Sequence, residues 1–270
     1  SATMEPIWII DAVRTPIGKL LGALAPLRAV ELGQQAVAAV LARTGVAPSD
    51  VEEVIFGQAR QLGSGPNPAR QVAIRSEIPE SAPAMTINKA CGSSLKAIDL
   101  ARAALWLDGR KVVIAGGMES MTNIPFLLPE MRQGMRLGHK RALDGNFQDG
   151  FTCGILNEPM GMTAEYLAAE YELARPEQDE YAQLSHQRAA ETQSAGRFEA
   201  ETAPVVIQDR KLGAVTVAID EHVRSEVTLA QLGKLPPVFR PDGGTVHAGN
   251  SSGVTDGAAA ILMMTESEGK

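Results

Sequence analysis

The sequence predicts an α/β fold in which helices cover both faces of a buried sheet and one part of the chain forms an inserted subdomain. Three observations lead to this prediction. Short apolar segments alternate with stretches of helical periodicity up to residue 116. These segments are rich in β-branched residues, as in strands that are buried on both faces. A further apolar run near residue 260 resumes the pattern after an irregular middle region.

The elements before residue 117 follow a β-α-β order. Apolar segments predict strands at residues 7–13 and 51–56, and apolar residues recur at helical spacing between Leu27 and Leu41. Gly109 is a suitable C-terminal stop for the last helix of this part. The remaining predicted elements are a helix at 69–76, a strand at 84–88, a helix at 93–107 and a strand at 111–116.

The middle of the chain, residues 118–245, is predicted to be the inserted subdomain. It contains irregular stretches with Gly and Pro and only weak strand signals. Two polar helices are predicted at residues 163–171 and 176–195, the second with Pro176 in its first turn. Residues 258–265 form a continuous apolar run that predicts one more strand of the first sheet. The insertion is therefore expected to leave and re-enter a single core.

Length and charge exclude several classes of protein. A chain of 270 residues with 44% hydrophobic residues can bury a large core. The net charge of -7 argues against nucleic-acid binding, which depends on clustered Lys and Arg. No apolar run has the length of a membrane span, and the first residues lack the pattern of a signal peptide. A soluble, cytoplasmic protein with no nucleic-acid or membrane partner is expected.

The two cysteines, Cys91 and Cys153, are expected to be free thiols in a reducing compartment. A bridge between them stays open from the sequence. Neither cysteine lies in a cluster with metal-ligand spacing, so no metal is expected.

The segment from Asn88 to Ala97 is the most informative part of the sequence, because a predicted strand leads there directly into a predicted helix. Cys91 precedes that helix, where unpaired backbone N–H groups and the helix dipole stabilise negative charge. Small residues at Gly92, Ser93 and Ser94 allow a ligand to approach and leave the backbone N–H of the cysteine available to a developing oxyanion. These features suit acyl transfer. The alternative is that the cysteine is a small buried hydrophobic residue, the commoner role of a free cysteine.

The same segment resembles the N-x-x-C-G-S active-cysteine motif of thiolases, and further segments resemble that family in the same order along the chain. The resemblance extends over nearly all of the sequence, and the motifs are highly specific when taken together. The further segments are AVRTPIG at 12–18, GPNPARQ at 65–71, AGGMESM at 115–121, PMGMTAE at 159–165, GTVHAGNSSG at 244–253 and DGAAA at 256–260.

The resemblance implies that Cys91 is the nucleophile that accepts an acyl group from an acyl-CoA or a 3-ketoacyl-CoA. A thioester intermediate divides the transfer into two steps and predicts ping-pong kinetics. Cys153 is expected to be a bystander. Core packing is the alternative role for the apolar members of the implied coenzyme A site, and a solvated surface charge is the alternative for its arginine. The residues implied to contact coenzyme A are Phe151, Met160, Arg224, Leu235, Phe239, Ala248, Gly249 and Ser252.

The resemblance also implies the domain organisation. The fold expected is α/β and resembles one half of the duplicated thiolase core, with a mixed five-stranded sheet. This core half is assigned to residues 1–118 and 249–270, and an inserted α+β loop domain that binds coenzyme A is assigned to residues 119–248. The family further implies a homodimer or tetramer, with CoA and acyl-CoA as substrates and no prosthetic group.

The family's remaining catalytic groups do not occur in this sequence. Thiolases carry a base histidine in a Gly-His-Pro segment, a second cysteine in Cys-x-Gly-Gly and an Asn-Glu-Ala-Phe segment, and none of the three is present. The chain is therefore expected to be an incomplete catalyst that needs a complementing C-terminal thiolase fragment. It could be truncated or cleaved, one chain of a two-chain enzyme, or a non-catalytic relative. The first two are favoured, because a missing half would leave a broad apolar face exposed.

Three functions are consistent with these features to different degrees. The leading hypothesis is an acyl-CoA C-acyltransferase that cleaves 3-ketoacyl-CoA or condenses acetyl-CoA through a thioester on Cys91. Another condensing enzyme, such as a ketoacyl synthase, fits the loop domain less well. A non-catalytic acyl-CoA or lipid-carrier protein is the alternative from a different class.

Other residues are given structural or solvated roles. Residues 115–121 are expected to lie near a dimer contact rather than to carry chemistry. His139, His186 and His222 are expected to be solvated, because no partner pattern surrounds them. His247 lies near the implied cofactor region but does not match the family's catalytic histidine.

Overall fold

The structure is a computed structural model that describes residues 5–270, so the first four residues of the predicted core lie outside the described part. Twelve strands occur within residues 5–270. They are β1 (Ile7–Arg14), β2 (Gly18–Lys19), β3 (Glu53–Gly57), β4 (Ala84–Ile87), β5 (Val112–Ser120), β6 (Phe126–Leu127), β7 (Leu143–Asp144), β8 (Thr152–Cys153), β9 (Glu158–Pro159), β10 (Val205–Asp209), β11 (Gly213–Val217) and β12 (Thr255–Thr265).

Seven α-helices occur in the same residues and agree with the predicted positions of the longer ones. Gly109 follows the third helix with a φ of 70°, the left-handed conformation expected of a helix stop. None of the helices in residues 5–270 has the length and apolar character needed to cross a membrane. The helices are α1 (Ala29–Thr44), α2 (Pro68–Arg75), α3 (Ser93–Leu107), α4 (Met160–Glu170), α5 (Arg175–Ser194), α6 (Leu229–Leu232) and α7 (Glu266–Gly269).

The main sheet is mixed and has the strand order β1-β12-β5-β3-β4, with β2 paired to β12 beside it. The pairs β1–β12 and β12–β5 are antiparallel, and the pairs β5–β3 and β3–β4 are parallel. The five long strands are those that the sequence predicts. The predicted total of five was one too low, because the two residues of β2 are too short to show a periodicity.

Both faces of the sheet are buried, as predicted. Along β5, Val112 and Ile114 point into the core that α1 and α2 cover, whereas Val113 and Ala115 point into the core under α3. This alternation is the ordinary period of a strand, and burial on both sides explains the continuous apolar runs in the sequence. The residues of α3 that face the sheet are Ala97, Ala101, Ala104 and Leu105.

The chain divides into two compact units. The first comprises Ser1–Ile124, Glu201–Glu221 and Thr255–Lys270, and the second comprises Pro125–Ala200 and His222–Val254. This division differs from the predicted boundaries chiefly at residues 201–221, which the sequence assigns to the insertion and the structure to the first unit.

The hairpin formed by β10 and β11 explains this difference. Val205 and Ile207 are buried in the core of the first unit, while Val206 between them is exposed. Arg14 holds both ends of the segment: its Nε donates to Glu201 at 2.7 Å, and its Nη1 and Nη2 donate to the two carboxylate oxygens of Asp220 at 2.8 and 3.0 Å. Such charge-assisted, two-point bonds are the strong ones.

The second unit has a strongly polar interior. Glu165, Asp179 and His247 are all buried there. The Glu165 carboxylate of α4 accepts hydrogen bonds from the backbone N–H groups of Thr245 at 3.0 Å and Val246 at 2.8 Å. Side-chain hydrogen bonds therefore connect the elements of this unit where apolar contacts are few.

Candidate active site

Cys91 lies in the turn between β4 and α3, as the sequence predicts. The turn is closed by two backbone hydrogen bonds, from Gly92 N–H to the Lys89 carbonyl and from Ser93 N–H to the Ala90 carbonyl, both at 3.1 Å. Gly92 is the residue that precedes the first residue of the helix. The cysteine is exposed, so it is not the small buried hydrophobic residue of the alternative interpretation.

Two glycines let the start of α3 lie directly on the sheet. A Cβ atom at Gly57, the last residue of β3, would be 2.5 Å from the Ser93 carbonyl carbon, and one at Gly117 in β5 would overlap the Ser94 hydroxyl. Any side chain at these two positions would push the helix terminus outward. The small residues at the ends of the parallel strands therefore fix where the turn with Cys91 sits.

Cys91 lines an open recess of about 410 Å³ in the first unit. The recess is bounded by the ends of the central strands and by the start of α3. Such a concave site beside an exposed thiol can accept a small group. Besides the cysteine, the lining comprises Arg14, Thr15, Ile17, Gly57, Ala59, Arg60, Ala90, Ser93, Ser94, Gly117, Met118, Glu119, Met121, Thr255, Asp256, Gly257, Ala258 and Ala259.

Glu119 is one of two carboxylates in the lining of this recess, with Asp256, and sequence reasoning did not single it out. Burial raises its pKa, and the backbone N–H groups of Ala59 and Arg60, at 3.0 and 3.1 Å, counteract that rise in part. Its segment, residues 115–121, was expected to have a structural role only. The structure places the carboxylate in the same recess as Cys91.

The eight residues implied to contact coenzyme A all lie in the second unit. Arg224 and Leu235 line one groove of about 500 Å³. Leu235 also approaches the turn of Gly249, since a Cβ atom there would be 2.7 Å from its Cδ1. The ring of Phe239 packs on Gly161, the residue after Met160. The structure thus brings together two small groups of the predicted residues.

The remaining predicted residues have their own surroundings. Phe151 lies edge-on to Phe147, with ring centroids 5.5 Å apart. Ala248 and Ser252 are exposed in the loop before β12. Within residues 5–270, the lining of the groove includes Arg224 and Leu235 but not the other six.

A buried network of polar side chains supports the loop that carries Ala248 and Gly249. The Gly249 N–H donates to His247 Nδ1 at 2.9 Å, so the neutral imidazole carries its proton on Nε2 and donates it to Asp179 at 2.7 Å. Asn250 donates to the same carboxylate oxygen at 3.2 Å. Sequence reasoning missed this network, because its carboxylate, Asp179, lies 68 positions before His247 and belongs to no motif.

Two of the histidines expected to be solvated are half-buried. His186 Nδ1 accepts a hydrogen bond from the backbone N–H of Arg224 at 3.1 Å. Burial, followed by the nearby charges of Arg224 and His222, lowers the pKa of His186. The ring of His222 packs against Gly253. His139 is exposed, as expected.

An exposed cysteine at a strand-to-helix turn, on a mixed sheet covered on both faces, defines an α/β protein with a cysteine-bearing turn beside an open recess. A family model described as "Thiolase, N-terminal domain" matches residues 7–267. The chain belongs to the thiolase family, and it corresponds to the N-terminal domain of that family. The resemblance seen in the sequence motifs is thereby confirmed.

Known proteins similar to this chain agree with that assignment. A probable acetyl-CoA acyltransferase of Staphylococcus epidermidis is 42% identical over 267 residues, which cover 99% of this chain and 68% of that protein. An acetyl-CoA acetyltransferase of Chromobacterium violaceum is 45% identical over 259 residues, or 96% of this chain and 66% of that one. The crystal structure of the Bacillus anthracis acetyl-CoA acetyltransferase matches with a TM-score of 0.95 at 37% identity, covering 99% of this chain and 67% of that chain. The chain therefore spans about two thirds of the length of these relatives.

Proposed function

We propose that this chain is the nucleophile-bearing and coenzyme A-binding part of an acyl-CoA C-acyltransferase. The exposure of Cys91 in a recess at the start of α3 is the observation that carries the proposal. The relatives named acetyl-CoA acyltransferase and acetyl-CoA acetyltransferase support the same reaction class.

In the proposed reaction, the thiolate of Cys91 attacks the 3-carbonyl carbon of a 3-ketoacyl-CoA. The bond between carbons 2 and 3 breaks, the shortened acyl group stays on sulfur as a thioester, and acetyl-CoA leaves after its carbanion takes a proton. The thiolate of a second CoA then attacks the thioester and frees the cysteine. In the reverse direction, the same steps join two molecules of acetyl-CoA in a Claisen condensation.

Coenzyme A is proposed to bind on the second unit. Arg224 is the cation for the phosphates, and the apolar side chains of Leu235, Phe239 and Met160 suit the pantetheine arm. The loop at Ala248 and Gly249, supported by the buried Asp179–His247 pair, provides backbone groups beside Leu235.

The two proton-transfer groups of the reaction are proposed to come from a complementing C-terminal thiolase part. The thiol proton of Cys91 needs a base, and the leaving carbanion needs an acid. The family supplies these as a histidine and a second cysteine, in segments that do not occur in this sequence. We further propose a homodimer or tetramer in the cytoplasm, where the free thiols Cys91 and Cys153 would stay reduced.

The test is mass spectrometry of the intact purified protein before and after brief incubation with acetoacetyl-CoA. A co-purifying second polypeptide together with an acetyl adduct on Cys91 supports the proposal. A single polypeptide that binds CoA but is never acylated supports the non-catalytic carrier instead.

Substitution of the two cysteines makes the test specific. Cys91→Ser is expected to abolish the acyl adduct and to leave CoA binding within about twofold, because the proposed coenzyme A groove is lined by other residues. Cys153→Ser is the matched control and is expected to change neither quantity. An equal loss from both substitutions would contradict the assignment of the nucleophile.

A further inference from the structure

The residue before the nucleophile has an unusual backbone conformation. Ala90 has a φ of 49°, in the left-handed region, which the Cβ atom of any residue other than glycine disfavours. A strained residue persists only where its surroundings hold it, and such residues concentrate at functional sites. The groups that hold Ala90 therefore also fix the position of Cys91.

Two side chains hold Ala90 from both sides. Asn88 Oδ1 accepts a hydrogen bond from the Ala90 N–H at 2.9 Å. The Ser93 hydroxyl donates to the Ala90 carbonyl at 2.6 Å and accepts from the Lys89 N–H at 2.8 Å. Since Ser93 is the first residue of α3 and almost fully buried, the turn is bonded to the rigid start of the helix.

A second set of hydrogen bonds connects Asn88 to the sheet. Its Nδ2 donates to the Ala59 carbonyl at 3.0 Å, in the loop after β3. The N–H groups of Ala59 and Arg60 donate in turn to the two carboxylate oxygens of Glu119, at 3.0 and 3.1 Å. Glu119 belongs to the central strand β5, whose register is fixed by strands on both sides. An unbroken series of bonds thus runs from this strand to the residue before the nucleophile.

We propose that Asn88, Ser93 and Glu119 are positioning residues, which hold Ala90 in its left-handed conformation and thereby keep the Cys91 thiol directed into the recess. The proposal rests on the proposed role of Cys91 as the nucleophile. None of the three residues needs to touch the substrate. Their contribution is the fixed geometry of the attacking sulfur, which a loosely held turn could not provide.

The reactivity of Cys91 toward iodoacetamide tests the proposal without any acyl-CoA. Cys153 in the second unit serves as an internal reference, so the measured quantity is the ratio of the two alkylation rates, followed by peptide mass spectrometry. Asn88→Ala is expected to lower this ratio about tenfold. The substitution removes the hydrogen bond to the Ala90 N–H that offsets the energetic cost of the left-handed conformation, and a tenfold change corresponds to the size of that cost. Glu119→Gln keeps one acceptor oxygen of two and is expected to lower it about threefold.

Rescue by glycine separates positioning from a general effect on folding. Glycine adopts positive φ without a Cβ penalty, so Ala90→Gly in the Asn88→Ala background is expected to restore the ratio to within about threefold of the starting protein. Asn123→Ala is the matched control, because the Asn123 amide also bonds to backbone carbonyls of the first unit, at Ala25 and Leu27. It is expected to leave the ratio unchanged.

Two results would overturn the proposal: an unchanged ratio in folded Asn88→Ala, as an equal slowing of both cysteines would give, or no rescue by Ala90→Gly. Should Asn88→Ala not fold, Glu119→Gln is judged by the same ratio, and an unchanged value there counts against the proposal. Loss of acyl transfer with the expected alkylation ratios would refute the proposed function and leave the positioning roles intact.

Discussion

At the scale of single residues, the Asp179 carboxylate connects three other side chains of the second unit. Its buried carboxylate accepts hydrogen bonds from Arg175 at 2.8 Å, from His247 at 2.7 Å and from Asn250 at 3.2 Å. Burial alone would raise the pKa of Asp179, but the bonds from Arg175 and His247 outweigh it, so the pKa lies below its ordinary value of 3.8. The carboxylate is therefore ionised in the folded protein, and its partners depend on that charge.

Asp179→Asn is expected to lower the free energy of unfolding by about 3 kcal/mol at neutral pH, because it leaves Arg175 facing a neutral amide. A carboxyl whose pKa is lowered by folding stabilises the protein above its unfolded-state pKa, and this stabilisation is lost as the pH falls. The difference between the two proteins should therefore shrink below about pH 5. Urea unfolding across this range measures it.

The matched control is Glu180→Gln, on the next and exposed residue of the same helix. It is expected to change stability by less than about 0.5 kcal/mol at every pH. A pH-independent loss in Asp179→Asn would show that the side chain acts through packing and not through its charge.

At the scale of secondary structure, the contact of α3 with β3 and β5 determines where the turn with Cys91 lies. Gly57 and Gly117 leave the space, and the Ser94 side chain fills part of it. Ser94 is the second residue of α3, and its side chain is what a methyl group at residue 117 would meet. The structure gives the consequence: a side chain at residue 94 requires that residue 117 have none.

Gly117→Ala is expected to cost about 2 kcal/mol of stability, because its methyl group would overlap the Ser94 hydroxyl. Ser94→Gly in the same chain removes the obstacle and should recover about 1 kcal/mol, despite the cost of glycine in a helix. Thermal unfolding of the two single variants and the double variant measures this coupling.

Gly154→Ala is the control for the change of glycine to alanine, since nothing lies within 4 Å of a Cβ atom at that position. Strictly additive effects of Gly117→Ala and Ser94→Gly would contradict the close approach described for the helix terminus.

At the scale of the whole molecule, the first unit is completed by chain segments that are distant in sequence. The hairpin of β10 and β11 adds Val205 and Ile207 to a core built mainly from residues before 125. Arg14 anchors this segment at both ends, on Glu201 and Asp220. The chain thus passes between the two units at four points, whereas a single insertion would give two.

Arg14→Met is expected to lower the free energy of unfolding by about 3 kcal/mol, because it leaves the largely buried carboxylate of Asp220 without its cation. The hairpin should also open more often, so trypsin should cleave faster at its turn, after Arg210 or Lys211. Limited proteolysis followed by peptide mass spectrometry detects these cuts.

Arg43→Met is the comparison for Arg14→Met, since Arg43 pairs with Asp11 at the surface and both side chains remain partly exposed. It is expected to cost less than about 1 kcal/mol and to leave cleavage of the hairpin unchanged. Equal losses of unfolding free energy in Arg14→Met and Arg43→Met would show that the bonds from Arg14 to residues 201–221 contribute no more to stability than a surface ion pair.

The α/β class, the five long strands, the main helices and the turn with Cys91 could all be predicted from the amino-acid sequence. These features depend on residues that are near one another in the chain: apolar periodicity, glycine stops and a continuous cysteine motif. The family motifs added the assignment to thiolases.

Features that depend on contacts between distant residues became visible only in the three-dimensional structure. Arg14 and Asp220 are 206 positions apart, and His247 and Asp179 are 68 positions apart. No local sequence pattern therefore predicts that either pair is in contact. The same holds for Glu119, whose bonds to the loop after β3 exist only because β3 and β5 are neighbours in the sheet. Local periodicity determines which elements form, and long-range packing determines which side chains meet, because a buried polar group takes its partner from whichever segment the fold brings beside it.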